Sequence, residues 1–136
     1  MKSLQTDIAE RSVAYSLRII ALVRVLNRDE VGRILGGQLL RSGTSVGANI
    51  HEAQGAQSKA DFIAKMSISH KEARESAYWL RLVHESEIVG NVQLNELRDE
   101  TEQLIKILSA ILLTAKKNKN QDANSLGPNH LPIINS

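Results

Sequence analysis

Residues 94–115 read LNELRDETEQLIKILSAILLTA, and their spacing decides the fold. Leu94, Leu97, Thr101, Leu104, Leu108, Ile111 and Ala115 recur in alternating steps of three and four, the period of a helix that lays one seam against its neighbours. Ile105 and Leu112 widen that seam to the face of a globular core. Nothing in the chain alternates at the period of a strand, and no proline occurs before Pro128.

Upstream of this helix the punctuation separates three more. Gly90-Asn91 supplies a stop and a new cap. Before it, Phe62, Met66, Ala73, Ala77 and Leu80 recur at spacings of three, four or seven behind the cap signal Ser58-Lys59-Ala60-Asp61, which predicts a helix over 59–87. Asn27-Arg28-Asp29-Glu30 reads as a capping box and starts a helix near residue 28. Gly55 closes that helix, as a residue at ease in the left-handed conformation. The first helix is capped by Thr6 and runs to about residue 26, with Leu4, Ile8, Tyr15, Ile19, Leu22 and Leu26 and the flanking Leu17, Ile20 and Val23 on a wide apolar stripe. Short connections force consecutive helices to run antiparallel. The expected fold is therefore all-α, an up-down-up-down antiparallel four-helix bundle over residues 1–116. Residues 117–136 begin Lys-Asn-Lys-Asn-Gln-Asp, too polar to offset the entropy of ordering, and are expected to form a disordered, flexible polar C-terminal tail.

Composition agrees. A chain of 136 residues is one domain in size, and with 42% hydrophobic but only 3% aromatic residues its core must be aliphatic. The absence of cysteine excludes disulfides and thiolate metal sites and agrees with a reducing compartment. Lys2 is not followed by an apolar run, so no signal peptide is expected and the cytoplasm is the expected location. The most apolar stretches, 19–26 and 107–115, fall far short of the roughly 20 residues that cross a membrane. The net charge is only +2, from 17 basic and 15 acidic residues. A nucleic-acid surface would therefore need local clustering or the summed field of several subunits.

The second helix is unusual. Gly32, Gly36, Gly37, Gly43 and Gly47 lie inside it, each costing roughly 1 kcal/mol against alanine. Either the helix breaks at Gly36-Gly37, or Gly36, Gly43 and Gly47, which share a face, admit a neighbouring helix at close range. Close helix packing is the favoured reading, with a kink left open. On the same helix Gln38, Arg41, Ser45, Asn49 and Glu52 form a polar line, matched on the third by Lys65, Ser69, Glu72, Ser76 and Trp79. Most such lines are solvated faces. Asparagine and serine, however, hold an exposed helix poorly, so Arg41, Ser45, Asn49, Glu52 and Glu72 are expected to form a partly buried polar network fixing helix register or a subunit contact.

Catalytic and metal motifs are weak. Gly43-Thr44-Ser45-Val46-Gly47 matches the nucleophile-elbow pattern, with Asp61 and His70 downstream, but the elbow needs a strand before the serine and a parallel sheet behind it. No Gly-Lys-Ser/Thr follows to make a phosphate loop, and His51, His70, His84 and His130 lack metal-ligand spacing. Neither catalysis, a metal nor a cofactor is expected. The best nucleic-acid candidate is Lys71, Arg74, Tyr78 and Arg81, one helix face with an aromatic between cations. Lys71 with Glu75 and Arg81 with Glu85 also read as ordinary i,i+4 ion pairs. Arg18, Arg24 and Arg28 on the first helix, and Lys116, Lys117 and Lys119 beyond the fourth, are further cations of the same kind.

The stretch Arg41-Ser42-Gly43-Thr44-Ser45-Val46-Gly47-Ala48-Asn49-Ile50-His51-Glu52-Ala53 resembles the signature of the bacterial four-helix-bundle proteins encoded by intervening sequences in 23S ribosomal RNA genes. Arg11-Ser12-x-x-Tyr15, Asp61-Phe62, Lys71-Glu72-Ala73-Arg74-Glu75-Ser76 and Trp79-Leu80 support it. Related bundles are accessory proteins of diversity-generating retroelements. What the resemblance implies is a homo-oligomer, a homopentamer, with a basic surface, associated with nucleic acid and a reverse transcriptase. Two functions are thus expected to compete: a non-catalytic homo-oligomer that associates with RNA or DNA, and a protein-binding adaptor or assembly scaffold without nucleic acid.

Overall fold

The computed structural model describes the backbone of residues 4–125 and the side chains of residues 8–90 and 94–123. His130 and residues 126–136 of the expected tail lie outside the described residues. Four helices follow one another, α1 (Leu4–Leu26), α2 (Glu30–Gln54), α3 (Lys59–Glu85) and α4 (Asn91–Ser125), with no strand among the described residues.

Contacts fix the directions. Gly32, Gly36, Gly43 and Gly47 of α2 lie against Leu26, Val23, Ile19 and Ser12 of α1 in that order. One series rises as the other falls, so the helices are antiparallel. Ser42, Val46 and Glu52 of α2 meet Ser76, Ser69 and Lys65 of α3 in the same opposed sense. For α3 and α4, Lys59 pairs with Asp122 while Glu85 lies near Arg98. The topology is up-down-up-down. α1 and α4 close the bundle through Arg11 and Tyr15, described below.

Helix ends differ from the sequence reading in five places. α1 begins at Leu4, so Thr6 sits inside it rather than capping it. The amides of Asn27, Arg28 and Asp29 still bond back to the carbonyls of Val23, Val25 and Leu26. Asn27 therefore belongs to the end of α1, and Asp29 caps α2 instead, accepting from the Gly32 amide at 2.8 Å. Gly55 does end α2, but at φ −98°, so it does not use the left-handed region. α3 stops at Glu85, and Glu87, at φ 58°, is the left-handed residue of the turn to α4. α4 continues to Ser125, past residue 116 where the sequence sets the bundle's end.

The core is aliphatic except for one ring. Ile19, Leu26, Leu39, Val46, Leu80, Leu104 and Leu108 are fully buried, and Tyr15 is buried among them. Tyr15 explains the one polar residue in the α4 seam. Its hydroxyl is 2.7 Å from Thr101 Oγ1, which donates its own proton to the Leu97 carbonyl at 2.8 Å, so Tyr15 must be the donor. Burial pushes the Tyr15 phenol up to about 12 from an ordinary 10.0. Because the raised pKa belongs to the folded state, the stability it represents is complete below pH 10.0 and lost as pH rises through about 12. Tyr15→Phe is expected to cost about 1 kcal/mol at pH 7. It should also remove this alkaline loss, so that the two stability curves cross between pH 10.0 and 12 when followed by urea unfolding.

Candidate nucleic-acid interface and the seam behind it

α2 runs unbroken through Gly36-Gly37, so the kink is not taken. A Cβ at Gly36 would meet Val23 Cγ1 at 3.3 Å, at Gly43 it would meet both Ile19 γ-carbons at 2.9 Å, and at Gly47 Ser12 Oγ at 3.0 Å. These three are the glycines predicted to pack closely, and α1 is the helix they admit. Gly37 faces open space.

The polar network is narrower on one side and wider on the other than its sequence reading. Arg41 forks across to α3, Nη1 donating to Glu72 at 3.0 Å and Nη2 to Glu75 at 2.5 Å. That hydrogen bond, first of all, raises the Arg41 pKa and lowers that of Glu75. Trp79 Nε1 donates to the same Glu75 oxygen at 3.2 Å. Ser45, Asn49 and Glu52 stand apart from this fork. Ser45 and Asn49 bond back to carbonyls of their own helix, and Glu52 pairs with Lys65 at 3.1 Å. Instead Ser42 enters, buried and 2.8 Å from Ser76, and Ser69 donates to the Val46 carbonyl across the interface at 2.7 Å. Ser42 lies between the apolar positions Leu39 and Val46 of the core face, which was the available signal for it.

Capturing Glu75 changes the surface in front. Lys71, Arg74, Tyr78 and Arg81 are all exposed on α3. Arg81 pairs with Glu85 at 2.5 Å, as its spacing suggested. Lys71 lies near enough to help lower the Glu75 pKa but makes no close ion pair with it, Glu75 being held by Arg41. Among the described residues neither Lys71 nor Arg74 makes an ion pair. Lys116 of α4 joins them across the α3–α4 boundary. Both it and Arg74 lie close enough to His70 to lower its pKa, after the larger effect of burial. Burial and these two cations disfavour the charged form of His70, and Arg74 and Lys116 lie beside it. Tyr78 stands edge-on to Trp79 with ring centroids 5.1 Å apart. Further along, a cleft of about 460 Å³ opens between Ala77 and the α4 residues Asn95, Arg98, Asp99 and Glu102.

Arg18, Arg24 and Arg28 are exposed too, but on or just after α1, the helix diagonal to α3. They do not extend the α3 strip. Arg33, which the sequence reading omitted, is exposed near the start of α2. The nucleophile-elbow match lies in mid-helix, with Ser45 Oγ donating to the Arg41 carbonyl at 2.6 Å. Asp61 accepts from the Gln57 amide, and His70 faces α4, so the three are not brought together. No group of three candidate ligands is placed to hold a metal among the described residues, and none of their helices is long and apolar enough to cross a membrane.

The family model for 23S rRNA-intervening sequence proteins matches residues 5–110. The chain belongs to that family. A solved structure of a protein of unknown function from the S23 ribosomal protein family of Bacteroides thetaiotaomicron is similar to it, with 38% identity and a TM-score of 0.74 over 77% of this chain and 97% of that one. No curated protein matches the chain. In this family member the signature residues build the fold. Gly43 and Gly47 seat α1, and Arg41 and Ser42 hold α3. Arg11 likewise grips Glu100 of α4 through Nε at 3.1 Å and Nη2 at 2.6 Å. Surface function must therefore be read from what these residues leave exposed.

Proposed function

We propose that this protein is a non-catalytic, homo-oligomeric bundle of the bacterial cytoplasm that associates with RNA or DNA through the outer face of α3. The observation that carries the reading is that the exposed Lys71, Arg74 and Lys116 make no ion pair among the described residues, with Tyr78 and Arg81 further along α3. Cations not held in an ion pair can displace the counterions condensed on phosphates, and an exposed ring among them can stack on a base. In a homopentamer of the kind the family resemblance implies, repetition of a modest patch around a ring would sum its field.

The test is a gel-shift series in rising salt with structured RNA and single-stranded DNA. Lys71→Glu with Arg74→Glu is expected to weaken binding at least about tenfold and to flatten the salt slope by about two. No retardation of wild type at low salt would sink the proposal. That outcome would favour the second reading, an adaptor for a protein such as a reverse transcriptase. Asp99 and Glu102, which line the cleft beside the strip, support that reading, since they suit a protein partner better than phosphate.

A further inference from the structure

Leu17 and Ile20 widen the apolar stripe of α1 in the sequence, yet the bundle leaves Leu17 61% exposed and Val13 46%. Val13, Leu17, Ile20 and Arg24 follow in steps of four, three and four, so one outer edge of α1 is apolar and ends in a base. α2 carries a matching edge. Arg33, Gly37, Leu40, Thr44 and Ala48 recur in steps of four, three, four and four. Leu40 is 37% exposed, and a Cβ added at Gly37 would meet nothing within 4 Å. Gly32 lies against Leu26 and Gly36 against Val23, a register that sets Arg24 and Arg33 at the same end. Between the edges runs an apolar groove of about 210 Å³, where Val13 and Leu17 face Gly47 and Ala48. Arg28, exposed in the turn between the helices, adds a third cation to the end with Arg24 and Arg33. None of these arginines makes an ion pair among the described residues. Of the two acids there, Asp29 is turned to the Gly32 amide and Glu30 is exposed. At the other end stand Glu10 and His51, whose Nδ1 lies 2.8 Å from the Gly47 carbonyl.

We propose that the α1–α2 groove binds an amphipathic helix of another protein, with apolar side chains in the groove and acidic residues over Arg24, Arg28 and Arg33. A helix laid in a groove anchors through apolar residues at i, i+3 or i+4, and i+7. From Val13 to Arg24 the edge of α1 is about 16 Å long, the length of three helical turns. Small residues on the α2 side, Gly37, Gly47 and Ala48, let such a helix approach closely. Charge chooses the partner, since the basic end repels a basic helix and attracts an acidic one. Phosphate would engage the arginines but leave Val13, Leu17 and Leu40 in water, so a nucleic acid fits this surface poorly. The groove is separate from the α3 strip, because α1 and α3 are diagonal in the bundle. The inference thus goes beyond the α3 reading and holds whether or not that strip meets nucleic acid.

The experiment is fluorescence anisotropy with the full chain and two labelled synthetic helical peptides. Both carry leucines in alternating steps of three and four, and they differ only in a first turn of glutamates or of lysines. The glutamate peptide is expected to bind at least about tenfold more tightly than the lysine peptide. Leu17→Asp and the uncharged Ala48→Gln, on opposite walls, should each weaken the glutamate peptide at least about tenfold while circular dichroism keeps its helix content. Arg24→Glu with Arg33→Glu should reverse the preference between peptides. Equal binding of the two peptides, or no binding of the glutamate peptide, overturns the proposal. So does wild-type affinity in both wall variants. A lower sedimentation mass of Leu17→Asp without peptide would assign the face to a contact between copies, and displacement of the peptide by RNA from the Lys71→Glu, Arg74→Glu chain would assign it to nucleic acid. Either result overturns the proposal too. Gel retardation of RNA by the Ala48→Gln chain reads the α3 strip separately, so failure of the groove and failure of the strip remain distinguishable.

Discussion

Gly43→Val is expected to cost about 3 kcal/mol of folding stability, at the upper end of the range for overpacking a tight core, while Gly37→Ala in the same helix is expected to gain up to about 1 kcal/mol. The opposed signs come from what each position faces. An added Cβ at Gly43 stands 2.9 Å from both γ-carbons of Ile19, closer than real contacts allow. Ile19 is branched at Cβ and fully buried, so neither its rotamer nor its surroundings yield easily. Valine adds two more carbons to that clash, and α1 must move away from α2. At Gly37 no atom lies within 4 Å, and the only change is the lower backbone entropy of alanine in the unfolded chain. Chemical denaturation of both variants checks the pair. Equal effects would mean that the glycines do not set the α1–α2 spacing.

The same contrast shows what the sequence made legible. Heptad-like spacing placed Gly36, Gly43 and Gly47 on one face, and period alone left Gly37 off it. Long-range consequences of that kind are readable because helix geometry fixes which residues share a side. The Arg41–Glu72 meeting was readable for a different reason, since two polar lines on sequential antiparallel helices have few ways to avoid each other. Asn49 and Ser45 were misplaced because each had a carbonyl four residues back within reach on its own helix. Spacing cannot distinguish that local bond from one across the interface. The competition for Glu75 was equally hidden. As an i,i+4 partner it belonged to Lys71, and only the approach of α2 shows that Arg41 takes it and leaves Lys71 exposed without an ion pair. Lys116 was placed beyond the fourth helix because its neighbours are polar, yet α4 continues and holds it beside His70. For the candidate interface, then, the residue types were visible in the sequence, while the pairing that decides which charges stay free was not.

Arg41→Met should lower stability by about 2 kcal/mol at pH 7, several times the effect of an ordinary exposed substitution. The guanidinium side chain is 50% exposed and could by itself be replaced at small cost, but Glu72 is only 9% exposed. Without Arg41 that carboxylate keeps its burial and loses its cation, and the penalty of a stranded charge exceeds the worth of the bond that held it. Acid should shrink the difference. Arg41 holds the Glu75 carboxyl below its ordinary 4.5 by hydrogen bonding. A depressed acid contributes stability that is complete above that value and is lost as pH falls through the lower, folded one. Wild type should therefore lose its advantage over Arg41→Met below about pH 4.5, as urea unfolding across an acid series would reveal. The decisive variant is Arg41→Met combined with Glu72→Met. If the cost arises from a stranded charge, removing both ends should restore most of the stability, because paired apolar side chains satisfy the same space without desolvated charge. If instead the double variant is as unstable as the single one, the aliphatic stem and fork of Arg41 hold α2 against α3 through packing and Glu75, and Glu72 is incidental to the seam.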